Sequence, residues 1–251
     1  MENIKYSSNE ILEYYKDNRS NWDSLYPSEQ YVLKRILRDG GVGDVLDVGC
    51  ACGGLGLALD EKCIESGIRS YTGVDIHEDS IKMAKEKVKL SVPSEFIAAD
   101  IMKLQLSEKF DLVLSLSCAD WNLRTNEILN TCWDLVKPGG CFLVSLRLTD
   151  KPSVNDIKQS FQIINFSGKS GEDSEKANYV VFNFREIMRI FLDMTPKPLT
   201  VGGYGYWGSP SETASCPYER LAFTVFYIRK PFPHEKSEGR VELQLPLELF
   251  V

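Results

Sequence analysis

Four aspartates carry most of the chemistry this sequence can offer. Asp47 lies inside the apolar run VLDV, Asp75 closes YTGVD, Asp100 closes EFIAAD, and Asp120 follows FDLVLSLS. A carboxylate at a strand end can accept hydrogen bonds from hydroxyls and amino groups, and inside a pocket it can take up a proton. Downstream of the first acid come Gly49, Gly53, Gly54 and Gly56, with Cys50 and Ala51 between them. Glycine permits left-handed backbone and a close approach to a ligand. Where such a turn joins a strand to a helix, free amides and the helix N-terminus face the ligand, so this is a nucleotide-binding turn. Its spacing is acid-x-G-x-A-x-G. The G-x-G-x-x-G of dinucleotide sites is absent, which disfavours a nicotinamide- or flavin-dependent oxidoreductase.

The elements that must hold these residues follow from periodicity. Val45, Leu46 and Val48 suit a short buried strand, and Leu55–Ile64 has the apolar spacing of a helix. A second strand ends in Asp75, where Rossmann-like folds grip a ribose, and an amphipathic helix follows it to Val88. A third short strand ends in Asp100, and a fourth spans 110–117. A helix over Arg124–Val136 then leads through KPGG to a fifth strand, CFLVSLRL. This order and punctuation resemble the class I S-adenosylmethionine-dependent methyltransferases, closely over 40–150 and more loosely over 175–230.

The resemblance implies an α/β fold. It is a doubly wound, seven-stranded, mostly parallel sheet with an antiparallel last strand, helices on both faces, an N-terminal helical lid and an insertion after the fifth strand. It also implies S-adenosylmethionine as cofactor, with S-adenosylhomocysteine as product. The cofactor would be bound by Asp47, Gly49, Cys50, Ala51, Gly53, Asp75, Ile76, Asp100, Ile101 and Ser117. Asp75 would hold the ribose and Asp100 the adenine amino group, with Ile101 packed on the ring. No Asp/Asn-Pro-Pro-Tyr/Phe follows the fourth strand, the element with which family members methylate nucleobase amines.

The chain is expected to be one domain, with a helical lid over 1–39, a cofactor core over 40–150, a substrate-cap insertion over 151–181 and a C-terminal half over 182–251. Two helices, Asn9–Tyr15 and Ser28–Arg38, flank a turn at Pro27, and the lid is rich in aromatic residues. Tyr15 and Trp22 from the lid, Trp121 beside the fourth strand, and Tyr204 and Tyr206 from GGYGYWG are the candidates for contact with a methyl acceptor. Packing on the sheet edge is the alternative for the lid and GGYGYWG rings. The insertion carries a helix-like piece, Val154–Phe161, and an extended piece, Gln162–Ser167. Asn183 is expected to cap a helix over Phe184–Asp193. Asp120 is the candidate general base; the competing role for it, or for Asn122, is to cap the next helix. The tail VELQLPLELF alternates like an edge strand, limited by Pro246. It either caps the chain's own sheet or pairs with a second copy in a dimer.

Composition narrows the partners. The 251 residues are 43% apolar and 26% charged, enough to bury a single core. A net charge of −7 without a basic stripe argues against nucleic acid as partner. No apolar run is long enough for a membrane span and the N-terminus lacks a signal-peptide pattern, so a cytoplasmic location is expected. Seven cysteines, several in predicted strands, suit small buried side chains in a reducing compartment. Cys50-x-Cys52 lacks a second Cys/His pair to complete a metal site, so none is expected. The leading expectation is methyl transfer to an oxygen, or next a nitrogen, of a small-molecule acceptor such as a sugar or secondary metabolite. The alternatives are a non-catalytic cofactor-binding subunit or sensor and a protein or RNA methyltransferase.

Overall fold

A computed structural model describes residues 12, 19–40, 42–62, 67–164, 175–235 and 239–250. The expected helix Asn9–Tyr15, apart from Leu12, Tyr15 itself and most of the polar tip of the insertion lie outside the described residues. Four parallel strands form the first half of the main sheet: β1 (Gly43–Val48), β2 (Ile68–Asp75), β3 (Ser94–Ala98) and β4 (Phe110–Ser115). A long strand, β5 (Val136–Thr149), runs parallel to β4. After it come β6 (Phe161–Ile164), β7 (Glu175–Asn178), β8 (Phe182–Asn183), β9 (Thr200–Gly208), β10 (Ala214–Ser215), β11 (Leu221–Arg229) and β12 (Arg240–Gln244). The main sheet has the order β12-β9-β11-β5-β4-β1-β2-β3, with β8 added beside β5.

The chain order crosses over at β1, with β2 and β3 on one side and β4 and β5 on the other, as in other doubly wound sheets. The sheet has nine strands rather than the expected seven, because β8 and β12 join it. β11 is antiparallel to both β5 and β9. The tail caps its own chain: β12 pairs parallel with β9 and stops before Pro246, which has no N–H to continue the ladder.

Strand side chains alternate between two apolar clusters on opposite faces. Leu46, Val48, Val113, Phe142 and Val144 pack with helices α4 (Thr125–Asp134) and α5 (Phe184–Leu192). Val45, Leu112, Leu114 and Leu143 pack with α1 (Pro27–Asp39), α2 (Gly54–Lys62) and α3 (Glu78–Lys87). This alternation is why each of these five helices finds a buried partner face. Asn183 caps α5 as expected, its side chain accepting from the amide of Arg185 at 2.9 Å.

The insertion departs from expectation. Val154–Phe161 is not a helix: Val154 bridges Val181, and Asp156 folds the next residues into a turn by accepting from the amides of Lys158 and Ser160. Instead β6, β7 and β10 form a separate three-stranded antiparallel sheet.

Candidate functional site

Three clefts meet at the C-terminal end of β1 and β4, where open α/β sheets bind their ligands. The first is lined by Gly49, Asp75, Ile76, Asp100, Ile101 and Cys118, together with Trp121 and Asn122. Asp75 is positioned by the turn itself: its carboxylate accepts from the amides of Ala51 and His77, each at 2.8 Å. Asp100 accepts from the amide of Met102 at 3.0 Å. Burial pushes Asp75 upward, and its backbone donors oppose that.

The second cleft lies under the glycine turn and is lined by Asp47, Gly49, Cys50, Ala51, Leu116 and Arg19. Here Asp47 accepts from the Tyr71 hydroxyl at 2.5 Å. Burial pushes Asp47 up to about 7, against the opposing pulls of Tyr71 and Arg19. Gly49 has φ +82°, and a Cβ on it would stand 2.5 Å from Cys118 Sγ, so only glycine fits there. Ala51 also takes a left-handed φ, +47°, which turns its amide onto Asp75.

The third is a cavity of about 450 Å³. Its floor is built from β5 and β11 through Leu146, Arg147, Phe223 and Thr224. Tyr26, Ser28 and Glu29 of the α1 start close one side, and Gln162, Ile163 and Ile164 of the small sheet close another. Trp121, Tyr179 and Tyr206 add aromatic walls. Ser117 lines all three clefts. It sits at φ +53°, donates its amide to Ser145 Oγ at 2.5 Å, and reaches Glu29 from its hydroxyl at 3.3 Å. A non-glycine residue held in the left-handed region is the strain that functional junctions often store.

Asp120 is paired with an arginine, a partner the sequence reading did not foresee. Its Oδ2 accepts from Arg147 Nε at 2.7 Å and from the Arg147 amide at 3.1 Å, while its carbonyl accepts from Nη2 at 2.6 Å. Both side chains are buried. Asp120 Oδ1 is buried and accepts no hydrogen bond, and the side chain caps no helix. Asn122 takes the local amide instead, accepting from Arg124 at 2.9 Å. Burial pushes Asp120 upward while Arg147 pulls it down. The guanidinium lies over two rings, 4.4 Å from the centre of Trp121 and 3.7 Å from that of Tyr179.

Three further expectations are corrected by packing. Trp22 lines none of the three clefts; it is buried beside α1 in the core, with Lys34 over its ring. Tyr204 stacks on Tyr31 of α1 at 4.2 Å, away from the cavity. Tyr206 lies on the same strand face one step beyond the helix, and so reaches the cavity. Gly53 lines none of the three clefts. At φ +81° it lets the turn pack on Val88 and Phe96, which a Cβ would meet at 2.8 and 3.1 Å.

Sequence reasoning missed Arg19, Glu29, Arg147, Tyr179 and Phe223. Only Arg147 left a signal, a lone cation inside the apolar strand run CFLVSLRL. Glu29 is fully buried by its partners: Arg19 donates to it at 2.9 Å and the Tyr26 amide at 3.0 Å. No helix among the described residues is long and apolar enough to cross a membrane.

Residues 45–140 match the profile of a family described as "Methyltransferase domain". The malonyl-[acyl-carrier protein] O-methyltransferase 2 of Ilyobacter polytropus is 31% identical over 104 residues, 41% of this chain and 39% of that one. A ubiquinone biosynthesis O-methyltransferase of Rhizobium etli is 30% identical over 135 residues, 53% of this chain and 52% of that one. The chain thus spans about half the length, or less, of these curated relatives, and the likeness centres on the cofactor half. An S-adenosylmethionine-dependent methyltransferase from Clostridium acetobutylicum shares the fold, with TM-score 0.53 and 14% identity over 89% of this chain and 96% of that one.

Proposed function

We propose that this chain is a class I S-adenosylmethionine-dependent methyltransferase that moves the cofactor's methyl group to an oxygen, or next a nitrogen, of a small molecule held in the cavity of about 450 Å³. The observation that carries this reading is Ser117, which lines the two cofactor clefts and the cavity together. Ser117 is thus the residue that the three clefts share.

The donor set suits the cofactor. Asp75 and Ile76 would hold the ribose, and Asp100 with Ile101 the adenine. The second cleft places a carboxylate, Asp47, and a guanidinium, Arg19, along one wall. That pair matches the ammonium and carboxylate of an amino acid, and Asp47, held neutral by burial until about pH 7, is an acid waiting for a cation. S-adenosylmethionine supplies a methyl carbon already made electrophilic by its sulfonium charge. The chain's own work is therefore to bind, align and exclude water. Tyr26, Trp121, Tyr206 and Phe223 give the cavity apolar walls, and a volume of this size suits one modest organic molecule. When the acceptor is a hydroxyl, its oxygen bonds the methyl carbon, the carbon–sulfur bond breaks, and the hydroxyl proton leaves. Glu29, next to Ser117, is the carboxylate placed to receive that proton.

The test is transfer from methyl-labelled S-adenosylmethionine into a cell extract, followed by size separation. Label in the small-molecule fraction is the expected result. Label confined to protein or RNA would overturn the acceptor class while leaving the cofactor in place.

A further inference from the structure

The cavity's ionic groups neutralise one another, and this bears on what can enter. Glu29, Asp120 and Arg147 line the cavity; Asp120 is paired with Arg147, and Glu29 with Arg19 of the adjoining cleft, so the two ion pairs leave no net charge there. The inner pair is the more informative. The Asp120 carboxylate takes Nε of the guanidinium and its backbone carbonyl takes Nη2, and Nη1 takes part in neither bond. Two aromatic rings pin the guanidinium plane, so it cannot swing to follow a ligand. The rest of the wall nearby is apolar or carries uncharged hydroxyls and amides, as at Ile163, Phe223 and Thr224.

We propose that the cavity selects an uncharged, ring-bearing acceptor, one of whose oxygens is held by Arg147, and that Asp120 is a positioning residue that keeps this arginine neutralised. An anionic ligand would face Asp120 and Glu29 as well as Arg147 and add an unbalanced negative charge in a buried site. A cationic ligand would compete with Arg147 for Asp120. Neither penalty applies to a neutral carbonyl or phenol oxygen, and a flat ring packs on Trp121 and Tyr179 beside the guanidinium. The inference rests on the reading of the cavity as the acceptor site.

The experiment uses ligands that share a ring and phenol and differ in the charge of one substituent: 3-hydroxybenzamide, 3-hydroxybenzoate and 3-hydroxybenzylamine, with their naphthalene counterparts, the amide and acid being the near-isosteric pair. Binding is measured calorimetrically at pH 7.5 to the full chain with S-adenosylhomocysteine present. The amides are expected to bind on the order of tenfold or more tightly than the acids and the amines. Asp120→Asn, which leaves Arg147 an unbalanced cation, should shift the ranking toward the acids by about tenfold. Arg147→Met should lower affinity for the amide. Retained binding of S-adenosylhomocysteine reports that each variant is folded, and if either variant fails that check the wild-type ranking decides alone. Tighter binding of an acid or an amine to the wild type overturns the inference, as does an unchanged ranking in folded Asp120→Asn. If S-adenosylhomocysteine binds and none of the six ligands does, the small-molecule reading fails and the inference with it. No binding of S-adenosylhomocysteine would overturn the assignment of the cofactor clefts.

Discussion

The clefts proposed for the cofactor and the cavity proposed for the acceptor adjoin at one serine but are built in opposite ways. The clefts come from short, consecutive pieces: β1, its turn, the end of β2 and the end of β3 supply Asp47, Gly49, Ala51, Asp75 and Asp100. Their key bonds link neighbouring strand ends, as when Asp75 holds the Ala51 and His77 amides. The cavity draws on α1, β5, the small sheet, β9 and β11, so its walls are brought together from Tyr26 to Thr224. Local construction leaves a readable pattern, while assembly from distant segments leaves almost none. That contrast also separates what the two regions should do when they are perturbed.

The largest effect expected in the cofactor region is electrostatic. Asp47 sits at about 7 in the fold against 3.8 as a free carboxyl. Between those values the unfolded chain is ionised while the folded chain still holds the proton, so stability falls as pH rises across that window. From pH 5 to pH 7 the loss from this group is about 2–3 kcal/mol. Asp75 and Asp120 are shifted in the same direction and add to the trend. Urea melts of the cofactor-free protein should show this slope, and Asp47→Asn should flatten it. Cofactor affinity should rise with pH through about 7 in the wild type, as Asp47 gains its charge, and should be weak at every pH in the variant. A flat stability profile in the wild type would break the claim that this acid is held neutral.

A smaller effect sharpens the separation. Asp75→Ala removes the acceptor of two turn amides and a candidate ribose contact. Cofactor affinity should fall by about 1–3 kcal/mol, while ligands that occupy only the cavity bind as before. Equal losses on both sides would mean that the regions are coupled through the turn.

The smallest effect tests the acceptor side. Tyr204 stacks on Tyr31 and lies outside the cavity, so Tyr204→Leu should cost about 0.5–1.5 kcal/mol of stability. It should leave the acceptor KM unchanged. Tyr206, two residues on, would show the reverse pattern.

The strand–turn–helix order, the acids at the strand ends and the cap at Asn183 were legible because each depends on residues close in sequence. Periodicity could also place β9 and β11 as strands. It could not tell which of the two tyrosines α1 would cover, because Tyr204 and Tyr206 share a strand face and differ only in what lies above them. The Asp120–Arg147 pair was unreadable for a similar reason. Asp120 looked like a free acid because its partner lies on the next strand, and only the pairing of β4 with β5 brings the two together. In the insertion, the apolar spacing of Val154–Phe161 suggested a helix, but Asp156 supplied local turn bonds that propensity alone does not weigh.

The small sheet of β6, β7 and β10 is hydrogen-bonded into a ladder of its own and is rooted on the rest of the molecule near residues 179–181, through Asp120 and Val154. It forms one wall of the cavity without contributing a strand to the main sheet. Substitutions on that wall can therefore accumulate without disturbing the strands that position the cofactor. Selection has here a surface that can be rewritten for a new acceptor while the donor side stays as inherited, and an engineer could exchange it as a cassette.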